Sequence, residues 1–420
     1  MYPKKEVVKL SLEALFSNTL GYFDFQISGL ASSYVWPLTF FSSYPYSLSL
    51  LYSFLAFSTG LITRPLGGII YGVLGDKEGR KTSLYFTLLA MSIGTTGIAL
   101  IPPSLGIIGI SLLFIFRAMQ GIALGGQWGG ASILLIEHFH ESSKRASVSN
   151  LSSIGVPLSL LFSSLTFYLM SGSPSFFLSL GWRIIFITSG TLTLLLSFLL
   201  SRILDSPLFE EIRGKGEISR SPLKEALKGE WKKILSLMLA RNYITSLYYI
   251  STTFIITFLY SIGVPLSVSF SSLVFSSIAM ILSQLVGSYL ADIVGRKKVI
   301  LFSSLSTSIM SIPYIFLISS GNHLLIYLSQ SFFCSSLMFG YGAISAYIAE
   351  NFPTKYRLTA SNFTYQFSTP LSAIPQIIAP YLLYSRSPEI SIALMLSAIS
   401  LTSFISCSFT EDTYGRGLNR

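Results

Sequence analysis

The chain has 420 residues, 51% of them apolar and 11% charged, with a mean hydropathy of +0.64. A water-soluble domain carries about 25% charged residues, so this composition excludes a large soluble protein. The net charge of +10 is spread over short loops. It forms no basic domain, which excludes nucleic acid as a partner.

The apolar residues come in runs of about 20 or more, the length that crosses a ~30 Å hydrocarbon core as a helix. Segments such as "TLTLLLSFLL" (Thr191–Leu200) lack the alternation of a transmembrane strand. In chain order the predicted spans are Leu10–Leu38, Tyr46–Gly75, Thr82–Pro102, Gly106–Glu137, Val148–Ser171 and Trp182–Ser201, then Ile234–Ser261, Leu266–Ala291, Val299–Ser319, Leu324–Glu350, Leu358–Ser385 and Ile390–Phe409. The first carries Asp24 and lacks a clear small-residue cleavage site, so it reads as a span and not a cleaved leader. Between the sixth and seventh lies Arg202–Lys233, the longest polar stretch. Its second part, Pro222–Ile234, spaces Leu223, Ala226, Leu227 and Trp231 as a surface helix would. The expected fold is an all-α membrane protein of twelve spans: a six-helix bundle over 1–201, a central loop over 202–233 and a second bundle over 234–420.

Lys and Arg set the orientation. Lys4, Lys5 and Lys9, then Lys77, Arg80 and Lys81, Lys144 and Arg145, the middle loop, Arg296 to Lys298, Lys355 and Arg357, and Arg416 and Arg420 all fall on one side if twelve helices alternate. The other side has only Arg386 and, at a helix entrance, Arg183. Positive loops stay in the cytoplasm, so the expectation is a multi-pass cell-membrane protein with both termini cytoplasmic. Cys334 and Cys407 lie inside spans and predict no disulfide framework. No His/Cys/Asp/Glu cluster has metal spacing, and no phosphate loop suggests an ATPase. The expectation is therefore a monomeric non-enzyme without cofactors, drawing on an ion gradient for any uphill work.

One phrase occurs twice. "LGDKEGRKTSLYF" (Leu74–Phe86) and "LADIVGRKKVILF" (Leu290–Phe302) align Asp76 with Asp292, Gly79 with Gly295, Arg80 with Arg296 and Lys81 with Lys297. A weaker echo pairs "EHFHESSKR" (Glu137–Arg145) with "ENFPTKYR" (Glu350–Arg357). Internal repeats in a helical membrane protein point to a transporter with its site between the repeats, near the midplane. The run from Gly72 to Lys81 resembles the loop signature of the major facilitator superfamily, and "RAMQG" (Arg117–Gly121) resembles its fourth-helix motif. "TRPLGGIIYGVLGD" (Thr63–Asp76), "GGQWGGA" (Gly125–Ala131), "GWRIIF" (Gly181–Phe186) and "DSPLF" (Asp205–Phe209) resemble its metabolite–proton symporters. That branch moves carboxylates, betaines and related small polar solutes. It usually has glutamate where this chain has Gly21 and Gln127.

The resemblance implies a conformational gate at Gly72, Asp76, Gly79, Arg80, Asp292, Gly295 and Arg296. Each aspartate sits where a helix emerges and can accept from a neighbouring helix N-terminus or an arginine. Ser288 stands where the first copy has Gly72, so the larger role is expected of Asp76 and the smaller of Asp292. Charges inside spans mark function. Counted along the helices, Asp24 lies ~21 Å, Arg64 ~18 Å and Arg117 ~17 Å from the nearest predicted helix end considered. These three and Gln127 are the candidate substrate- and proton-binding residues, with Arg183 a further positive group and Asp24 also a possible fixed partner of Arg117. Arg241 reads as a cation snorkelling to the membrane surface. Gln284, Gln330 and Gln376 read as interhelical hydrogen bonds, and Tyr248 and Tyr249 as facing either substrate or lipid. The function expected is proton-coupled uptake of a small polar metabolite, a carboxylate or betaine-like solute, by alternating access. The alternatives are an exporter or uniporter of the same superfamily, or a non-transporting sensor on its scaffold.

Overall fold

The computed structural model describes residues 4–78, 80–138, 144–200, 222–352 and 357–415. Within these it describes the backbone alone at 4–11, 13, 75–77, 80–81, 128–138, 200, 222–227, 229 and 357–358. The described residues are helical, with short turns between helices.

In the N-terminal half the spans are α1 (Lys4–Thr39), α2 (Tyr46–Glu78), α3 (Arg80–Leu100), α4 (Ile107–His138), α5 (Arg145–Ser153 and Gly155–Met170) and α6 (Trp182–Leu200). In the C-terminal half, α7 runs from Pro222 to Tyr249, passes through a π turn at Ile250–Phe254 and ends as Ile255–Ser261. It is followed by α8 (Leu266–Val294), α9 (Arg296–Ser319), α10 (His323–Glu350), α11 (Arg357–Phe367 and Thr369–Leu382) and α12 (Pro388–Ser408). α5 begins three residues before its predicted start. The expected surface helix is continuous with α7 and set off by a kink at Glu230, whose φ of −127° leaves the helical range.

Ten described helices are long and apolar enough to cross a membrane. The other two spans, α1 and α11, are more polar because they face the opposite half. α11 turns Asn362, Gln366 and Thr369 to α2 of the other half, and Ser368 and Gln376 to α7 of its own. In lipid every backbone polar group must be satisfied within the protein, which favours helices. The many serines fit this constraint because their hydroxyls bond back to their own helix. Ser159 donates to the Val156 carbonyl at 2.6 Å and Ser276 to that of Leu273 at 3.0 Å.

The repeat seen in the sequence reappears in the packing. α2 lies closely along α4, where a Cβ at Gly67 would strike the Ile122 carbonyl and one at Gly125 the Arg64 carbonyl. α8 lies likewise along α10, with Gly287 against the Phe339 carbonyl. Small residues let membrane helices approach this closely. Gly295, between α8 and α9, has φ +105°, a conformation that a side chain would strain. Gly79, its counterpart, lies outside the described residues.

Candidate functional site

The two halves meet around a narrow pocket. Its wall includes Tyr22 of α1, Arg64 of α2, Arg241, Tyr248 and Tyr249 of α7, Tyr341 of α10 and Tyr365 of α11. Arg64 is 1% exposed and Arg241 2%. Arg64 donates from Nε to Gln366 Oε1 at 3.1 Å and from Nη2 to the Tyr22 hydroxyl at 3.4 Å. Arg241 donates to the Tyr365 carbonyl at 2.9 Å and to the Ser368 hydroxyl. Its guanidinium carbon lies 3.4 Å from the centre of the Tyr365 ring. The hydroxyls of Tyr22 and Tyr365 are 3.4 Å apart, and those of Tyr341 and Tyr365 2.9 Å. The site thus holds one guanidinium from each half, joined by phenols, and can grip an anion from both sides.

Arg64 is where the sequence placed it. Arg241 corrects the expectation of a snorkelling cation, because α11 covers it and holds its head group inside. The missed signal is legible afterwards. Arg241, Thr245, Tyr248 and Tyr249 follow at i, i+4, i+7 and i+8, a polar and aromatic stripe on one face. Tyr248 and Tyr249 face the pocket and not lipid. Arg183 is also corrected. It donates to the Ala99 carbonyl, and to that of Ile101 at 2.8 Å, tying down the end of α3 away from the pocket.

Asp24 and Arg117 are both fully buried but make no ion pair with each other in this state. Asp24 turns towards α6, accepting from the hydroxyl of Ser189 and from that of Thr193 at 2.6 Å. Arg117 donates to Gln120 Oε1 and, at 3.0 Å, to the Phe57 carbonyl. Its guanidinium lies over the rings of Phe25 and Phe57. Gln120 links the two, donating to Thr95 Oγ1 at 2.7 Å and accepting from Ser28 at 3.0 Å. Gln127 fills the space left by Gly21, where a Cβ would collide with its amide. Both of its amide atoms are buried without a partner.

The side of the molecule bearing the chain ends is closed by charges and amides. Asp292 caps the start of α5, accepting from the backbone N–H groups of Ala146 and Ser147, each at 2.9 Å, and from the Ser147 hydroxyl at 2.7 Å. The Arg296 guanidinium lies 3.2 Å from both Asp292 and Glu350, and Glu350 lies 3.2 Å from Arg145 of the other half. Thr413, beyond α12, donates to the second oxygen of Glu350 at 2.7 Å. Asn150 of α5 accepts from the Gln284 amide at 2.6 Å and donates to Ser288 at 3.1 Å. The second copy of the repeated phrase therefore makes contacts between the halves, and Ser288 contributes one of its own.

In the first copy, the side chains of Asp76 and Arg80 fall outside the described residues. A Cβ at Gly72 would meet no described atom within 4 Å. The three glutamines make the bonds expected of them: Gln284 as above, Gln330 to the Ser251 carbonyl at 2.6 Å, and Gln376 to that of Ser246 at 3.4 Å.

The opposite side is closed by rings. Tyr34 and Tyr260 meet edge-on at 5.1 Å, Phe54 and Phe254 at 6.0 Å, and Phe167 and Phe270 at 5.5 Å. A hydrogen bond from Thr257 to the Ser33 carbonyl at 2.7 Å accompanies them. A polar pocket sealed towards both faces by contacts between two repeated halves is the architecture of a membrane solute carrier.

Comparison with known proteins agrees. A family model described as Major Facilitator Superfamily matches residues 14–375, and the chain belongs to that superfamily. It is 29% identical over 425 residues to the inner membrane metabolite transport protein YhjE of Escherichia coli (strain K12), covering 98% of this chain and 95% of the relative. It is 27% identical over 423 residues to the proline/betaine transporter of the same organism, covering 96% and 83%. Among solved structures, a D-xylose-proton symporter superposes with a TM-score of 0.79 at 16% identity, covering 98% of this chain and all of that one. The partially occluded, inward-open xylose transporter XylE from E. coli gives 0.76 at 17%, covering 98% and 99%. At that identity the likeness concerns the fold alone.

Proposed function

We propose that this chain is a proton-coupled secondary transporter of a small carboxylate-bearing metabolite in the cell membrane, with both termini cytoplasmic. The halves 1–201 and 234–420, joined by 202–233, rock about the pocket so that one face opens as the other closes. The observation that carries this reading is Arg64, buried at the contact between halves with only neutral hydrogen-bond partners. A buried cation is stabilised by an anion, and a carboxylate is the anion whose two oxygens match a guanidinium. Gln127, with an unsatisfied amide beside Gly21, is a further polar contact for solute or water.

Asp24 is the proton site in this reading, and Arg117 is linked to it through Gln120 and Thr95. Relatives named as proline/betaine transporters favour a second reading within the same class, a zwitterion. The phenol rings of the pocket would hold its ammonium group by cation–π attraction.

Purified protein in liposomes decides the matter. A proton gradient should drive accumulation of labelled carboxylates, and Asp24→Asn should abolish that accumulation while leaving exchange at equal pH partly intact. Asp24→Asn vesicles that still accumulate solute against its gradient would remove Asp24 from coupling. Vesicles that take up no carboxylate or zwitterion would overturn the transport reading itself.

A further inference from the structure

Three guanidiniums lie buried in the middle of the molecule, those of Arg64, Arg117 and Arg241, while Asp24 is the sole acid at that depth among the described residues. Arg117 lies inside the N-terminal half, outside the pocket wall, and shares a network with the Asp24 carboxylate through Gln120 and Thr95. Asp292 and Glu350 are engaged with Arg145, Arg296 and α5 at the end of the bundle. Arg64 and Arg241 are left with neutral partners only. Two positive charges, one from each half, thus face one pocket without a matching anion. Burial of a charge costs several kcal/mol unless it is paired, and the pocket is where a pairing group can arrive.

We infer that the transported solute carries two anionic groups on a short chain, as a four- or five-carbon dicarboxylate does, with one group on Arg64 and the other on Arg241. The inference rests on the carboxylate reading above and narrows it. The two cations stand at opposite ends of a phenol bridge. Arg64 is 3.4 Å from the Tyr22 hydroxyl, which is 3.4 Å from that of Tyr365, and Arg241 covers the Tyr365 ring. This spacing suits two separated carboxylates better than the single centre of a phosphate. Each end keeps a spare donor, because Arg241 Nε and Gln366 Nε2 are buried without partners. A monoanion neutralises the cation of one half only. A dianion ties both halves together, so its binding energy favours the closed arrangement over either open one.

The test is binding to the full-length protein in lipid nanodiscs, followed by thermal shift, with succinate and glutarate against butyrate, glycine betaine and inorganic phosphate. Ligands that prefer the folded state raise apparent stability. The dicarboxylates should bind at least about tenfold more tightly than butyrate, a difference of about 1.4 kcal/mol. Arg241→Gln should erase that advantage, bringing the dicarboxylates down to the affinity of butyrate. Arg64→Gln should weaken both, and Arg241→Lys should keep part of the preference. If the Gln variants do not fold, the wild type still decides. Lowering the pH until the second carboxyl of succinate is protonated should remove the advantage, with butyrate and glutarate titrated alongside as controls.

Equal binding of succinate and butyrate, or tighter binding of betaine or phosphate, would overturn the inference while leaving transport of a small anion or zwitterion standing. Binding of none of these probes would overturn the carboxylate reading as well, and the inference with it.

Discussion

The two seals of this transporter are built from different chemistry. On the side of the chain ends, Asp292, Glu350, Arg145, Arg296 and the start of α5 form a buried ionic knot. On the other side, Tyr34, Phe54 and Phe167 meet Tyr260, Phe254 and Phe270. An ionic knot is directional. Its bonds hold in one geometry and are lost in any other, and water can rehydrate the freed charges once that side opens. A ring seal is not directional. Its strength follows the apolar area hidden from water, so it weakens gradually as the halves part. The lesson is that the ionic side can act as a switch and the ring side as a soft closure.

The largest expected effect comes from breaking the switch. Asp292→Asn removes the charge that three donors and Arg296 share. Hydrogen bonds to a charged group contribute about 1.5–3 kcal/mol, which corresponds to a population shift of about 10- to 100-fold. A cysteine introduced at Met338 in the pocket, with Cys334 and Cys407 replaced, should react much faster with an impermeant thiol reagent applied from the side of the chain ends. Transport should fall at unchanged membrane abundance. An unchanged labelling ratio between the two faces would show that Asp292 is not part of the switch.

A smaller shift, in the opposite direction, is expected of Phe254→Ala. The edge-on pair with Phe54 contributes about 0.5–1.5 kcal/mol beyond the area it buries. Labelling from the ring side should therefore rise by about two- to tenfold. That gain should be insensitive to salt, since no charge is involved. A strong salt dependence would contradict the contrast drawn between the seals.

A shift of about the same size, back towards the side of the chain ends, is expected of Thr413→Ala. Its hydroxyl orients the Glu350 carboxylate that faces Arg145, a contact of about 1 kcal/mol. Labelling from the side of the chain ends should rise about fivefold, and Thr413→Ser should restore the original ratio. A segment that only adds stability would lower the melting temperature and leave the ratio between faces unmoved.

Much of the fold was legible in the linear chain. Span length and composition follow from bilayer thickness, and a lipid-facing surface leaves few choices of residue. The repeated phrase announced two similar halves, and Gly295 announced a backbone that only glycine adopts easily. Arg64, Asp24 and Arg117 stood out because a charge in an apolar run is rare. What the chain could not show was which way those charges turn. A helical position fixes a face, but the partner on that face comes from another part of the chain. Asp24 turns to Ser189 and Thr193, 165 and 169 residues away. Arg241 is held inside by α11, 124 residues further on.

The sequence by itself therefore determined the family, the number of spans and the residues too costly to bury without a purpose, because these follow from local composition and helical spacing. The tertiary structure alone decided that Arg64 and Arg241 face each other across one pocket and that one seal is ionic while the other is aromatic. Those facts depend on how the two halves dock, and docking is set by packing between residues far apart in the chain.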